Sequence, residues 1–333
     1  MSKQDFVPEE TARQIEQGNR RALARAITLV ESAHPAHRAQ ATELLEALRS
    51  DRQAIRIGMS GTPGVGKSTF IESFGLELVE SGLRVAVLAV DPSSARSGGS
   101  ILGDKTRMDH LSRHPSAFIR PSPSQTYLGG VARRTREATA LCEAAGFDVV
   151  LIETVGVGQS ETMVAEMADL FVLLLAPAGG DELQGVKRGI MEMADLILIN
   201  KADGDLKATA TRTCAEYAGA LRLLRKRAQD PDGFPKALMV SAIEGNGLRQ
   251  SWDEMQALVA WRKQNGVWED TRADQNAFWF NAELRHALLT RLENDLEASA
   301  ASAEMQKAIC AGQIAPSVAA ERVVQSFLGP NKI

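Results

Sequence analysis

A glycine-rich segment beginning at Gly61 combines residue types that together can bind phosphate groups. Its glycines at positions 61, 64 and 66, followed by Lys67 and Ser68, fit the pattern G-x-x-x-x-G-K-[ST]. The backbone N–H groups of such a turn, placed at the positive end of a helix, can wrap a polyphosphate. Lys67 would then reach the β- and γ-phosphates, and the Ser68 hydroxyl would bind Mg²⁺. The candidate phosphate-binding residues are Gly61, Thr62, Pro63, Gly64, Val65, Gly66, Lys67, Ser68 and Thr69.

The flanking sequence supplies the elements that this turn needs. Residues 55–59 (Ile-Arg-Ile-Gly-Met) are typical of a short buried strand. Residues 70–79 place Phe70, Phe74 and Leu78 on one face of a helix. An ordinary glycine-rich connection with a surface lysine is the alternative. It is disfavoured because the strand, the helix and the fixed positions occur together.

A second motif, Asn200-Lys-Ala-Asp203, supplies selectivity for a base. A carboxylate at Asp203 can accept hydrogen bonds from the ring N–H and the exocyclic amine of guanine. Adenine presents an acceptor in place of that ring donor, and a buried unmatched polar group costs about 1–3 kcal/mol. Asn200 would tie this segment to the phosphate loop, and the Lys201 stem would lie against the base plane. With the following Ser241, Ala242 and Ile243, the motif favours GTP over ATP.

Three carboxylates are candidates for work at the metal ion. Mg²⁺ prefers octahedral oxygen coordination and usually takes only one or two protein oxygens beside those of the nucleotide. Ser68 is the first candidate ligand, and a carboxylate could act directly or through water. Each carboxylate could instead cap a helix or stabilise a loop. The candidate metal-binding residues are Ser68, Asp91, Asp104 and Glu153.

The segment Glu153-Thr-Val-Gly156 occupies the place where many GTPases have Asp-x-x-Gly. The Gly156 N–H is then suited to the γ-phosphate, which makes the segment sensitive to the nucleotide. The next residue is Val157, where Ras-like proteins have the glutamine that orients water. Gln159 could substitute for it. No arginine finger can be assigned from the sequence, and because that group contributes about 10³–10⁵ in rate, we expect slow hydrolysis by the chain alone.

Short apolar runs alternate with helical segments from residue 54 onward, which predicts an α/β fold with a mostly parallel central sheet flanked by helices. Near-continuous apolar strands are typical of a sheet that is covered on both faces. Ligands of such folds bind at the carboxyl ends of the strands, where the candidate residues fall. The predicted strands are residues 55–59, 84–90, 149–153, 170–175, 195–200 and 237–240.

Helical extensions are predicted on both sides of this region. We expect an N-terminal helical extension at 1–53, a phosphate-loop GTPase domain at 54–265 and a C-terminal helical arm at 266–333. The arm contains the apolar residues Phe278, Phe280, Leu284 and Leu288. It could bury them against its own GTPase domain or in a dimer.

The bulk properties exclude several classes of protein. The formal charge of −4 disfavours nonspecific nucleic-acid binding, which needs clustered cations. The longest apolar run is far shorter than the roughly 20 residues needed to cross a bilayer. The first residues lack an apolar signal core, and acidic residues there disfavour a transit peptide, so we expect a cytoplasmic protein. The three cysteines and five histidines show no metal-binding spacing.

Taken together, these motifs resemble those of the methylmalonyl-CoA mutase-associated GTPases, the MeaB/ArgK family. The resemblance includes Asp91-Pro-Ser-Ser, the segment 98–108 (Gly-Gly-Ser-Ile-Leu-Gly-Asp-Lys-Thr-Arg-Met) and the segment 153–160 (Glu-Thr-Val-Gly-Val-Gly-Gln-Ser). These segments are far more specific than the phosphate loop alone, and the similarity extends over most of the chain.

The resemblance implies a GTPase of the SIMIBI class, which contains the signal-recognition and MinD-like proteins. It implies a homodimeric chaperone that binds GTP, GDP and Mg²⁺ and acts on the adenosylcobalamin-dependent methylmalonyl-CoA mutase, gating cofactor delivery and protecting or reactivating the enzyme. It also implies catalytic roles for Lys67, Asp104 and Glu153. Thr62 stands where MinD-like relatives have an extra lysine, so we expect no hydrolytic lysine from a dimer partner.

Other functions remain open at this stage. The phosphate loop also occurs in small-molecule kinases, although no acceptor pocket or base can be nominated. A nucleotide-binding structural module without meaningful turnover is a further alternative. The client could also be another acyl-CoA mutase, such as an isobutyryl-CoA or ethylmalonyl-CoA mutase.

Overall fold

The computed structural model describes most of the chain. The described residues are 6–32, 34–90, 108–121, 128–154, 160–177, 188–224, 226–227 and 229–328. The chain divides into two compact units, Met1–Arg272 and Ala273–Ile333. The first contains the sheet and the sequence motifs, and the second is helical.

A single parallel sheet organises the first unit. Its order is β3-β2-β4-β1-β5-β6-β7, and every neighbouring pair is parallel. The strands β2, β4, β5 and β6 are buried along their whole length, because helices cover both faces. The strands are β1 Ile55–Gly61, β2 Val85–Val90, β3 Ala117–Arg120, β4 Val149–Thr154, β5 Leu170–Leu175, β6 Leu196–Ile199 and β7 Lys236–Met239.

This topology confirms the predicted α/β fold. All six predicted strands are present, with bounds within two residues of those expected. The sequence did not predict β3, a strand of four residues that pairs with β2 at the edge of the sheet.

Three helices precede the sheet in the described part of the chain. Asn19 begins the second by accepting hydrogen bonds from the N–H groups of Arg21 and Ala22. Pro35 begins the third, at the first helical position where its missing N–H costs nothing. They are α1 Pro8–Glu16, α2 Arg20–Glu31 and α3 Pro35–Ala47.

The remaining helices connect the strands or follow them. Helix α4 packs under the sheet through Phe70 and Phe74, whose rings stack with centroids 5.3 Å apart. Trp252 of α10 contacts Phe74 edge-on at 6.2 Å, which continues the core. The helices are α4 Lys67–Glu80, α5 Asp109–Arg113, α6 Leu128–Ala144, α7 Ser160–Ala165, α8 Arg188–Met193, α9 Lys207–Leu223, α10 Leu248–Gln264, α11 Val267–Asn294, α12 Leu296–Cys310 and α13 Pro316–Leu328, with a 3₁₀ turn at Gly204–Leu206.

Helix α11 continues from the first unit into the second, where α12 and α13 pack together. Asp295 starts α12 by accepting a hydrogen bond from the Ala298 N–H. Within the described residues, every helix is too short or too polar to cross a membrane.

Candidate functional site

The glycine-rich turn joins β1 to α4 in the way that a phosphate loop requires. Gly64 and Gly66 have left-handed φ angles of +81° and +91°, which glycine adopts without a steric penalty. A Cβ atom on Gly66 would lie 2.9 Å from the Asn200 side chain, and one on Gly61 would lie 2.3 Å from the Leu174 carbonyl oxygen. Glycine is therefore needed at 64 and 66 for the turn, and at 61 and 66 for close packing.

Lys67, the first residue of α4, points back along the loop. Its ammonium group donates to the Gly61 carbonyl at 2.6 Å and to the Thr62 carbonyl at 3.4 Å. Burial lowers the pKa of Lys67, while the carboxylates of Glu153 and Glu161 act in the opposite direction. The lysine is thus held by the loop itself, at the position from which it can contact a phosphate.

Asn200 connects the segment 200–203 to the glycine-rich loop by hydrogen bonds. Its Nδ2 donates to the Val65 carbonyl at 2.9 Å, and its Oδ1 accepts from the Ala242 N–H at 3.2 Å. Lys201 lies beside it with a left-handed φ of +58° and donates to the Gly64 carbonyl at 2.7 Å. The structure therefore brings together three segments that are far apart in the sequence.

Asp203 is oriented by the loop that follows β7. The Ser241 hydroxyl donates to its carboxylate at 2.5 Å and accepts from the Glu244 N–H at 3.1 Å. This hydrogen bond leaves acceptor capacity on the carboxylate for the two donors on one edge of guanine. Ile243, also predicted in this site, is 80% exposed, so its side chain is accessible to a base.

The proposed metal ligands are only partly described. Glu153 is buried near the end of β4, in register with Met59 on the strand that leads into the phosphate loop. Ser68 lies in the first turn of α4. A hydroxyl and a carboxylate are hard oxygen donors, which suit Mg²⁺ when the nucleotide supplies further oxygens. The predicted residues Asp91, Asp104 and Gly156, and the candidate Gln159, lie outside the described residues.

Among the described residues, no group of three or more His, Cys, Asp or Glu side chains is arranged to hold a metal ion.

Two residues near the site were not predicted from the sequence. Glu161, in the first turn of α7, is buried and acts electrostatically on Lys67. Ser73 of α4 donates to the Ala242 carbonyl at 2.6 Å and so supports residues 241–243, called the base loop below. The signal for Glu161 was present, since it is the acidic residue that follows the segment 153–160. Ser73 gave no signal, because a mid-helix serine is common.

Comparison with known proteins identifies the lineage of this site. The family model described as methylmalonyl Co-A mutase-associated GTPase MeaB matches residues 23–297. The chain belongs to this family. A putative GTPase of Caulobacter vibrioides is 52% identical over 311 residues, which cover 93% of this chain and 94% of the relative. The MeaB-family chain is accordingly a GTPase.

Further relatives carry more specific names. The GTPase ArgK of Escherichia coli is 49% identical and covers 85% of both chains. The methylmalonic aciduria type A homolog, mitochondrial, of Mus musculus is 48% identical and covers 93% of this chain and 77% of the relative. A crystal structure titled LAO/AO transport system kinase matches with a TM-score of 0.74 and 37% identity, over 98% of this chain and 99% of that one. The fold is therefore that of a phosphate-loop GTPase.

The Asp203 carboxylate yields a test of base recognition. Asp203→Asn places an amide where guanine needs two acceptors, so we expect GTP binding to weaken by about ten- to several hundred-fold. Xanthosine triphosphate presents an acceptor in place of the exocyclic amine and should bind the variant better than GTP does. Calorimetric titration of both nucleotides in the presence of Mg²⁺ measures the change.

The matched control is Asp205→Asn, an exposed carboxylate in the adjacent 3₁₀ turn. It should bind GTP as the unmodified protein does. If Asp203→Asn still prefers GTP to xanthosine triphosphate, Asp203 does not recognise the base.

Proposed function

We propose that this GTPase is a chaperone of the adenosylcobalamin-dependent methylmalonyl-CoA mutase, in which the bound nucleotide gates cofactor delivery and governs protection or reactivation of the mutase. The family description and the names of the mouse and nematode relatives support this client. The structural observation that carries the proposal is the Asn200 side chain, which joins the phosphate loop to the base loop. A site of this kind can bind both GDP and GTP, and the two complexes would differ only around the γ-phosphate.

The proposed chemistry is attack of water on the γ-phosphorus and departure of GDP. Lys67 would neutralise charge on the β- and γ-phosphate oxygens. Ser68, Asp91, Asp104 and Glu153 would hold Mg²⁺ directly or through water, and the ion when bound supplies further charge neutralisation. Gly156 would donate its N–H to the γ-phosphate. We assign no arginine finger, so hydrolysis is slow in the chain alone and is stimulated by the partner.

We further propose that the chain forms a homodimer through its C-terminal arm, residues 266–333. The other two proposed parts of the chain are the N-terminal extension, 1–53, and the GTPase domain, 54–265. Phe280, Leu284 and Leu288 recur every fourth residue on α11 and are 46–67% exposed. A row of exposed apolar side chains on one helix face is typical of an interface. We place the protein in the cytoplasm and propose neither a membrane nor a nucleic acid as its partner.

A kinase is the second candidate, because the solved structure that matches over nearly the whole chain is titled a transport system kinase. A kinase requires an acceptor pocket and a positioned base beside the γ-phosphate. The guanine-recognition geometry at Asp203 is compatible with either function, so the fate of the γ-phosphate decides between them.

The dimer proposal is tested by charge substitution on the α11 row. Leu284→Glu combined with Leu288→Glu should convert a dimer into a monomer, since burying two carboxylates in an apolar interface costs several kcal/mol. Sedimentation velocity gives the mass. Leu223→Glu, at an 88% exposed leucine of α9, is the control and should stay dimeric. A monomeric unmodified protein would contradict the proposal.

The fate of the γ-phosphate is followed with terminally labelled GTP, Mg²⁺ and candidate small-molecule acceptors. We expect the label to appear as free phosphate at the same rate with and without acceptor. Lys67→Ala, which removes the side chain that would contact the phosphates, should release none. Transfer of the label to an acceptor would show that the protein acts as a kinase.

The client is tested by capture of purified methylmalonyl-CoA mutase on the immobilised GTPase. We expect the captured amount to change at least several-fold between GDP and a non-hydrolysable GTP analogue, and Asp203→Asn to lose this response to guanine nucleotides. Parallel captures with isobutyryl-CoA and ethylmalonyl-CoA mutases establish selectivity. Equal capture in both nucleotide states would refute gating, and no capture would refute the client.

A further inference from the structure

The hydroxyl of Ser73 makes a long-range hydrogen bond from the middle of a helix. A serine or threonine hydroxyl inside a helix often bonds to the carbonyl four residues earlier, as Thr135 and Thr139 do in α6. Ser73 of α4 instead donates to the Ala242 carbonyl at 2.6 Å, across 169 positions of the sequence. This bond joins the helix that begins at the phosphate loop to the base loop.

Ala242 is held from both sides by side chains. Its N–H donates to Asn200 Oδ1 at 3.2 Å, and its carbonyl accepts from the Ser73 hydroxyl. Ala242 is 5% exposed, and in the described part of the chain no second hydrogen bond reaches its carbonyl. A buried carbonyl that loses its partner is penalised, so the Ser73 hydroxyl stabilises residue 242 in this position.

Backbone hydrogen bonds close the turn that contains the base loop. The Ser241 N–H donates to the Asn246 carbonyl at 2.9 Å, and the Ser241 carbonyl accepts from the Gly245 N–H at 2.9 Å. Gly247 has a left-handed φ of +78°, and a Cβ atom there would lie 2.3 Å from the Met239 carbonyl oxygen. These contacts define the shape of the turn, whereas its attachment to α4 depends on the separate bond described above.

The base loop carries the group that orients Asp203. The Ser241 side chain is fully buried, and its hydroxyl donates to the Asp203 carboxylate at 2.5 Å. Because Ser241 and Ala242 are adjacent, a shift of the Ala242 peptide would also displace the Ser241 donor. Ser73 therefore influences the Asp203 carboxylate through the base loop.

We propose that Ser73 is a positioning residue for guanine and that its hydrogen bond to Ala242 slows the release of bound nucleotide. The inference rests on the proposed recognition of guanine by Asp203. A loop held in its binding conformation gives higher affinity than one that must be ordered by the ligand, and such differences in affinity fall mostly on the dissociation rate. GDP and GTP have the same base, so both are affected equally.

The test compares Ser73→Ala with the unmodified full chain by stopped-flow measurement of the release of a fluorescent GDP derivative in the presence of Mg²⁺. Alanine favours helices, so α4 should keep its structure. We expect release to accelerate by about three- to thirtyfold, and the affinity for a non-hydrolysable GTP analogue to fall by about the same factor. Ser73→Thr keeps the hydroxyl and should restore slow release.

Tripolyphosphate distinguishes positioning of the base loop from a general loss of structure, because it has phosphates but no base. Calorimetric titration in the presence of Mg²⁺ should give Ser73→Ala and the unmodified protein the same affinity for it. The matched control is Ser81→Ala, which removes the serine hydroxyl that bonds to the Glu77 carbonyl at 2.9 Å at the end of the same helix. This variant should release GDP at the unmodified rate.

Unchanged GDP release in Ser73→Ala would overturn the inference, and so would a loss of tripolyphosphate affinity as large as the loss for the GTP analogue. Release from Ser73→Thr as fast as from Ser73→Ala would assign the effect to side-chain size and would also overturn it. The guanine contact itself is judged separately by Asp203→Asn. If that variant loses its preference for GTP while Ser73→Ala behaves as the unmodified protein, the role of Ser73 fails and recognition by Asp203 stands.

Discussion

The hydrogen bonds of the Asn200 side chain are the constraint on which the nucleotide site depends. The amide is 99% buried, and it bonds to the phosphate loop through Val65 and to the base loop through Ala242. A buried backbone group that lost its partner would cost about 1–3 kcal/mol. Because both loops share one rigid amide, neither can move without disturbing the other.

Glycine at position 66 is a consequence of this arrangement. The Asn200 nitrogen lies so close to the Gly66 backbone that a methyl group would contact it at 2.9 Å. The left-handed φ of Gly66 disfavours other residues for an independent reason. Glycine at position 66 thus meets three requirements: the turn of the phosphate loop, the start of α4 and close packing against Asn200.

Parts of this site could be predicted from the sequence because residue type alone fixes their chemistry. Lys67, Asn200 and Asp203 belong to motifs that follow predicted strands and have a spacing typical of nucleotide binding, and the apolar runs of the buried strands locate the strand ends. Strand β3 was missed because four residues ending in Arg120 at a sheet edge leave no periodic signal. Glu161 was not singled out, although it directly follows the segment 153–160, because its electrostatic effect on Lys67 depends on two segments that only the fold brings together.

The nucleotide state can reach a partner only through contacts that differ between GDP and GTP, since a ligand shifts an equilibrium by no more than its differential affinity. In the proposed site, Asn200, Asp203 and Ser241 would serve recognition of the base, which is the same in both nucleotides, so they would contribute affinity but no switching. In the proposed site, Lys67 would contact the γ-phosphate, and the segment predicted to respond to it follows Glu153 in the sequence. Each tenfold change in partner affinity requires about 1.4 kcal/mol of such a difference. In the proposed site, that difference therefore arises at the end of β4, away from the residues that would contact the base.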